Sequence, residues 1–117
     1  QYMHTLWFTL RFVDSIQNEE IMNNLFKSEF LMATEKMSSN KVFSFGRDHG
    51  YHGRLLSHGI VAEQSLHIKD NTLTGYCFTP QDGNALLSSV AGTIQYYYKD
   101  NWKEKMKLFN RYIFKNI

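Results

Sequence analysis

The stretch TLWFTLRFV, Thr5 to Val13, constrains this chain more than any other. In an extended strand successive side chains alternate between faces. Leu6, Phe8, Leu10 and Phe12 then fall on one side, and Trp7, Thr9, Arg11 and Val13 on the other. Both sides are largely apolar. Such a strand is predicted to lie centrally in a sheet with both faces covered, one by the chain's own helices and the other by a neighbouring subunit. With 117 residues the chain is read as one domain, 1–117, with a modest core.

A helix is expected to follow. Asp14 can cap it, Gln17 stands at the return position of a capping box, and Glu19 and Glu20 suit the positive end of a helix dipole. Met22, Leu25, Phe26, Phe30, Ala33 and Met37 recur at helical spacing, which predicts a helix from Gln17 to Met37. Its three methionines read as core filler. Ser38-Ser39-Asn40 marks a turn, and Val42 to Phe45 a short second strand. After the segment Gly46 to Gln64, apolar residues resume at Ser65 to Ile68. Lys69-Asp70-Asn71 turns the chain, and Leu73 to Thr79 is the predicted hairpin partner. Pro80 and Asp82-Gly83 interrupt the sheet.

Leu87, Val90, Ala91, Ile94 and Tyr98 predict a helix from Asn84 to Tyr98. The run Tyr96-Tyr97-Tyr98 covers so much of that helix's circumference that at least one ring must leave the core. The tail fits two patterns: Lys105-Met106-Lys107-Leu108 alternates like a strand, while Trp102, Met106, Phe109 and Ile113 fit a helix. The strand is favoured, because it completes the order β-α-β-β-α-β. The expected class is therefore α+β: a ferredoxin-like, PII-like sandwich with an antiparallel sheet and two helices on one face. The bare face calls for oligomerisation.

Composition narrows function. Aromatic residues make up 15% of the chain, more than a small core easily hides, so some rings are expected at a subunit interface or a ligand site. A net charge of +2 argues against nucleic acid, which needs Lys and Arg clustered on one face; the Lys-rich stretch near Trp102 contains Glu104 and reads as a solvated face. No apolar run approaches the roughly 18 residues a membrane span needs, and no signal peptide is seen. The one cysteine, Cys77, lies between Tyr76 and Phe78. It reads as a buried structural thiol, compatible with a reducing compartment. A cytoplasmic location is expected.

The segment GRDHGYHGRLLSHGIVAEQ, Gly46 to Gln64, is the predicted site loop, since long connections on a rigid scaffold tend to carry ligand contacts. His49-x-x-His52 with His58 and Asp48 resembles a metal cluster. Glycine-rich backbone fixes ligand geometry poorly, so hydrogen-bonding or solvated histidines are preferred and no metal is expected. Gly46, Gly50 and Gly53 match neither the P-loop nor the dinucleotide fingerprint; they serve backbone approach. Cys77 lacks a base nearby in sequence, and Ser57-His58 alone does not make a triad. Glu63 stands out. A single carboxylate between Val61-Ala62 and Ser65-Leu66 is poor equipment for glycoside hydrolysis, which uses two, but it suits binding a cation. The bland alternative is an exposed glutamate at a strand entry.

The span GYHGRLLSHGIVAEQSL, Gly50 to Leu66, resembles the phage S-adenosylmethionine lyases, formerly called S-adenosylmethionine hydrolases. In that family a Gly-x-Tyr loop precedes an essential glutamate just before an apolar strand, and Glu63 falls in the glutamate's place. TLWFTLRFV and DGNALLSSVAGTIQYYY stand in comparable order around it. The family tyrosine aligns with His52, while this chain's tyrosine is Tyr51, so either could be the second site residue. Lys69 to Pro80 looks like an inserted hairpin. The resemblance implies a homotrimer of PII-like subunits with sites between them, no cofactor, and conversion of S-adenosylmethionine to methylthioadenosine and homoserine lactone in the host cytoplasm, against restriction-modification. It implies Glu63, Tyr51 and His52 as catalytic residues, with Gly50, Gly53, His49 and Ser65 contacting substrate.

Two rivals belong to other classes. One is a PII-like trimer that binds a nucleotide without turnover. The other is a small phage inhibitor of a host defence protein, using an aromatic face. Tyrosines exposed away from the Gly46–Gln64 segment favour the inhibitor; tyrosines converging on it favour a ligand site.

Overall fold

The computed structural model describes residues 3–28, 30–48 and 58–112. Its elements are β1 (Met3–Arg11), α1 (Asn18–Lys27), β2 (Leu31–Thr34), α2 (Ser39–Asp48), β3 (Gly59–Ala62), a 3-10 turn at Glu63–Ser65, β4 (His67–Lys69), β5 (Thr72–Pro80) and α3 (Gln81–Tyr98). A 3-10 turn, Lys99–Asn101, leads to α4 (Trp102–Met106) and a final 3-10 segment, Lys107–Tyr112. The five strands form one mixed sheet in the order β1-β5-β3-β2, with β4 also on β5. The class is α+β.

Alternation along the strands assigns the two faces. Leu6, Phe8 and Leu10 of β1 lie opposite Cys77, Gly75 and Leu73 of β5. With Ala33 and Val61 they form the face on which Met22 and Leu25 of α1 pack. On the other face Met32, Ile60, Ala62 and Phe78 pack with Val42 and Phe45 of α2, and with Met3. The helices α1 and α2 therefore cover opposite faces, where two helices on one face were expected. The sheet is also not wholly antiparallel: β2 and β3 run parallel, Met32 beside Ile60 and Thr34 beside Ala62. The helix α2 forms the crossover that such a pair needs.

Three predicted elements change identity. The helix expected over Gln17 to Met37 ends at Lys27. Ser28 turns extended there, and its hydroxyl accepts the N–H groups of Phe30 and Leu31 at 3.2 Å each. Met32 and Ala33, read as part of the helix, are instead buried strand residues. The strand expected at Val42 to Phe45 is helical, because Val42, Phe45 and Gly46 form an i, i+3, i+4 stripe against the sheet. The tail, expected as a strand, is helical too. Met106 is buried while Leu108 is 71% exposed, and strand alternation would have put both on one face. Trp102, Met106 and Phe109 share a separate small core with Ala91, Val90 and Ile94 of α3.

The hairpin forms, with a tighter turn than expected, because Lys69 belongs to β4 and Ser65 to the 3-10 turn before it. Lys69 pairs with Thr72 across Asp70-Asn71, where Asp70 takes the left-handed conformation at φ 56°, which Asp tolerates. Asn71 anchors the turn to the start of the chain: Phe12 N–H donates to its carbonyl, and its side-chain amide donates to Phe12 O, both at 2.8 Å. The first strand is not central. β1 is an edge of the sheet, with Trp7 68% exposed beside Tyr76. Its pattern of apolar residues on both sides records two partly covered faces rather than a buried middle.

Candidate functional site

The helix α1 crosses the sheet without closing onto all of it. Between them lies an apolar cleft of about 330 Å³. Phe8 and Leu10 of β1, Ile21 and Leu25 of α1, Val61 of β3 and Leu73 of β5 line it, with Leu66 from the turn that follows β3. Asn24 and Ser28 are its polar contributors among the described residues. Gly75 lies beneath Phe8 and Leu66 of the cleft wall. A Cβ there would come within 2.8 Å of Leu66 Cδ2 and 2.9 Å of Phe8 Cζ, so the bare backbone is what allows those two side chains to meet over β5.

Glu63 does not line this cleft but stands in a neighbouring recess. Ile21 and Leu66 also line an adjoining recess, completed by Asn18, Met22, Glu63 and Gln64. The strand β3 ends at Ala62, and the chain tightens into the 3-10 turn, which holds Glu63 half-buried beside the first turn of α1. Leu66 N–H donates to Glu63 O at 3.1 Å and closes the turn. Among the described residues no cation pairs with the Glu63 carboxylate. Phe12 and Ile16 extend from the cleft into a second recess with Asp14 and Glu20.

Ser65 holds the turn rather than the cleft wall. Its hydroxyl donates to Ala62 O at 2.6 Å and accepts the N–H of Tyr76 at 2.8 Å. The remaining expected site residues, His49, Gly50, Tyr51, His52 and Gly53, lie outside the described residues. The segment read as one long loop is bounded more tightly than expected, because Gly46 to Asp48 belong to α2 and Gly59 to Ala62 to β3.

Three other candidates, His58, Asp48 and Cys77, fall among the described residues. His58 is fully buried just before β3, so it is not a solvated histidine. Asp48 bonds Arg47 at 2.9 Å. No group of three metal-ligating side chains occurs among the described residues. Burial raises the Cys77 pKa above the ordinary thiol value of 9.0, the opposite of what a nucleophilic cysteine needs. Among the described residues no helix is long and apolar enough to cross a membrane.

What the sequence reading missed is the cleft itself. Its one available signal was the Leu6, Phe8, Leu10, Phe12 alternation facing the Ile21, Leu25 stripe. Gly75, over which Phe8 and Leu66 meet, looked like any other residue of a strand. Comparison with protein-family models gives no match to this chain, and comparison with curated proteins gives none either.

Proposed function

We propose that this chain is an S-adenosylmethionine lyase, with Glu63 as the carboxylate that faces the substrate's positive charge. The observation that carries the reading is the position of Glu63: half-buried, without a cationic partner among the described residues, and in a recess that shares Ile21 and Leu66 with an apolar cleft. A carboxylate in that setting is less screened than one in open solvent, and an apolar cleft beside it suits a flat base.

The reaction asks little of the protein. The substrate's carboxylate oxygen attacks its own γ-carbon, the carbon–sulfur bond breaks, and the electron pair goes to the sulfonium sulfur. Neutral methylthioadenosine leaves with homoserine lactone, which keeps the substrate's α-ammonium and its single positive charge, with no water and no proton transferred. The protein's part is to fold the substrate into the attacking shape, a kind of positioning worth on the order of 7–11 kcal/mol in well-oriented intramolecular reactions, and to stabilise its charges. Glu63 holds the ammonium or faces the sulfonium. Tyr51 or His52 fixes the methionine end, with Gly50, Gly53 and His49 beside it. Ser65 acts through the turn that aims Glu63. A ferredoxin-like, PII-like subunit and a homotrimer with sites between subunits belong to the same proposal; the parallel β2-α2-β3 unit departs from the β-α-β-β-α-β order.

The test is incubation with S-adenosylmethionine and mass spectrometry for both products. Turnover undiminished in Glu63→Gln would sink the role of that carboxylate, and no product from the wild type would sink the lyase.

A second reading has its own observation. Tyr96 and Tyr97 are 78% and 73% exposed, edge to face with ring centroids 5.3 Å apart, and they do not line the cleft. Such rings favour a protein partner, as in an inhibitor of a host defence protein. Replacing both by serine abolishes that activity under this reading and leaves turnover intact under the first.

A further inference from the structure

We infer that the outer edge of β1 is a pairing surface for a second copy of this chain, joined antiparallel about a two-fold axis at Trp7. The inference goes beyond the lyase reading and does not depend on turnover.

The strand β1 runs for nine residues and pairs with β5 without a bulge, from Met3 opposite Pro80 to Arg11 opposite Thr72. No described strand lies on its other side. The hydrogen-bond phase shows which backbone groups point there. Phe12 N–H donates to Asn71 O, one step beyond the Arg11–Thr72 pair, so the even-numbered residues bond inward to β5. Antiparallel ladders alternate, which turns the N–H and C=O groups of Met3, Thr5, Trp7, Thr9 and Arg11 outward. Every residue of β1 other than Met3 and Phe8 is exposed.

Sheet edges are ordinarily blunted by Lys, Pro, a bulge or an inward-pointing charge. β1 carries neither Lys nor Pro, its register is unbroken, and its one formally charged residue, Arg11, stands at the far end. The strand also matches its own reverse. An axis at Trp7 sets Trp7 against the partner's Trp7, Thr5 against the partner's Thr9 and Met3 against the partner's Arg11. All the outward residues then join one ladder, and the two arginines stay at opposite ends. On one face the Trp7 rings, 68% exposed, meet beside Tyr76. On the other, Leu6, 48% exposed, meets the partner's Phe8. Aromatic and apolar cross-strand pairs of this kind stabilise a sheet. An acidic peptide would find a single cation here, at the end of the strand, whereas a second β1 meets its own reversed apolar pattern. The contact is isologous and closes on itself. Alone it gives a dimer, and combined with the homotrimer proposed above it gives a hexamer.

Two single variants, His4→Cys and Leu10→Cys, each in a Cys77→Ser background, test the register. Across the axis the two positions form a non-hydrogen-bonded pair, about 4.5 Å apart at Cα and within disulfide reach. Each is roughly 20 Å from its own copy. Under mild oxidation a mixture of the two variants is expected to crosslink, and neither variant alone. Trp7→Lys, at an exposed position, sets like charges against each other on the axis. It is expected to halve the mass measured by sedimentation, from dimer to monomer or from hexamer to trimer, with an unchanged circular dichroism spectrum. No crosslink in the mixture, or a crosslink in either variant alone, overturns the inference. So does a wild type that sediments as monomer or trimer, or a folded Trp7→Lys of unchanged mass. The cysteine mixture decides the matter if Trp7→Lys fails to fold.

Discussion

The Ser65 hydroxyl accepts the backbone N–H of Tyr76 at 2.8 Å and donates to Ala62 O at 2.6 Å. One side chain thereby ties the end of β3 to the middle of β5 and sets the turn that carries Glu63. Ser65→Ala leaves a part-buried carbonyl and an exposed N–H without that partner, at a cost of about 1 kcal/mol. The melting temperature should fall by several degrees. Any ligand or substrate effect assigned to Glu63 should weaken as well, which separates a positioning role from a purely structural one. A melting curve matching the wild type would show that the turn holds without Ser65.

Two glycines should respond in opposite directions to the same substitution. Gly75→Ala forces Phe8 and Leu66 apart, since its methyl would lie under 3.0 Å from both. Overpacking of this kind costs about 1–3 kcal/mol. Gly92→Ala, in the exposed part of α3, meets nothing within 4 Å. It should stabilise by about 0.5–1 kcal/mol through helix propensity. Denaturant midpoints of the two variants measure both effects.

Cys77 should alkylate slowly in the folded protein. Desolvation raises its pKa above 9.0, so at a mildly alkaline pH less thiolate is present than in the unfolded chain. The sign for stability follows. The raised folded pKa means that the neutral thiol's contribution is fully present below the unfolded value, and is lost as pH climbs through the folded one. Iodoacetamide labelling followed against pH should show the folded protein reacting at higher pH than the chain in denaturant, and Cys77→Ser should flatten the alkaline decline in stability.

The packing between α3 and α4 should open before the sheet does. Met106 and Ala91 form a core of their own, apart from the two clusters on the sheet faces. Met106→Ala should cost about 2–5 kcal/mol locally. Hydrogen exchange should then rise across Lys99 to Tyr112 while Ile60 to Ala62 stay protected. Loss of protection spread evenly over the chain would mean that the three clusters form one cooperative unit.

The sequence by itself determined the local features that short-range chemistry dictates. It placed the first strand and its alternation, the Asp70-Asn71 hairpin, the α3 stripe through Val90, Ala91 and Ile94, the surfacing tyrosines, and an α+β class. It singled out Glu63 as unusual from its apolar neighbours alone. Apolar runs such as Leu31-Met32-Ala33-Thr34 and Val42-Phe43 are too short for either periodicity to declare itself, so the strand was read as helix and the helix as strand. The tertiary structure decided those cases by burial: Met32 and Ala33 are buried on opposite faces of the sheet, and Val42 packs one helical turn from Gly46. It also decided that β1 is an edge, that α1 and α2 take opposite faces, and that a cleft remains beneath α1 next to the recess that holds Glu63. None of these is a property of neighbours along the chain. Each depends on which distant surfaces meet, and the free energy of burying apolar area is settled only when they do.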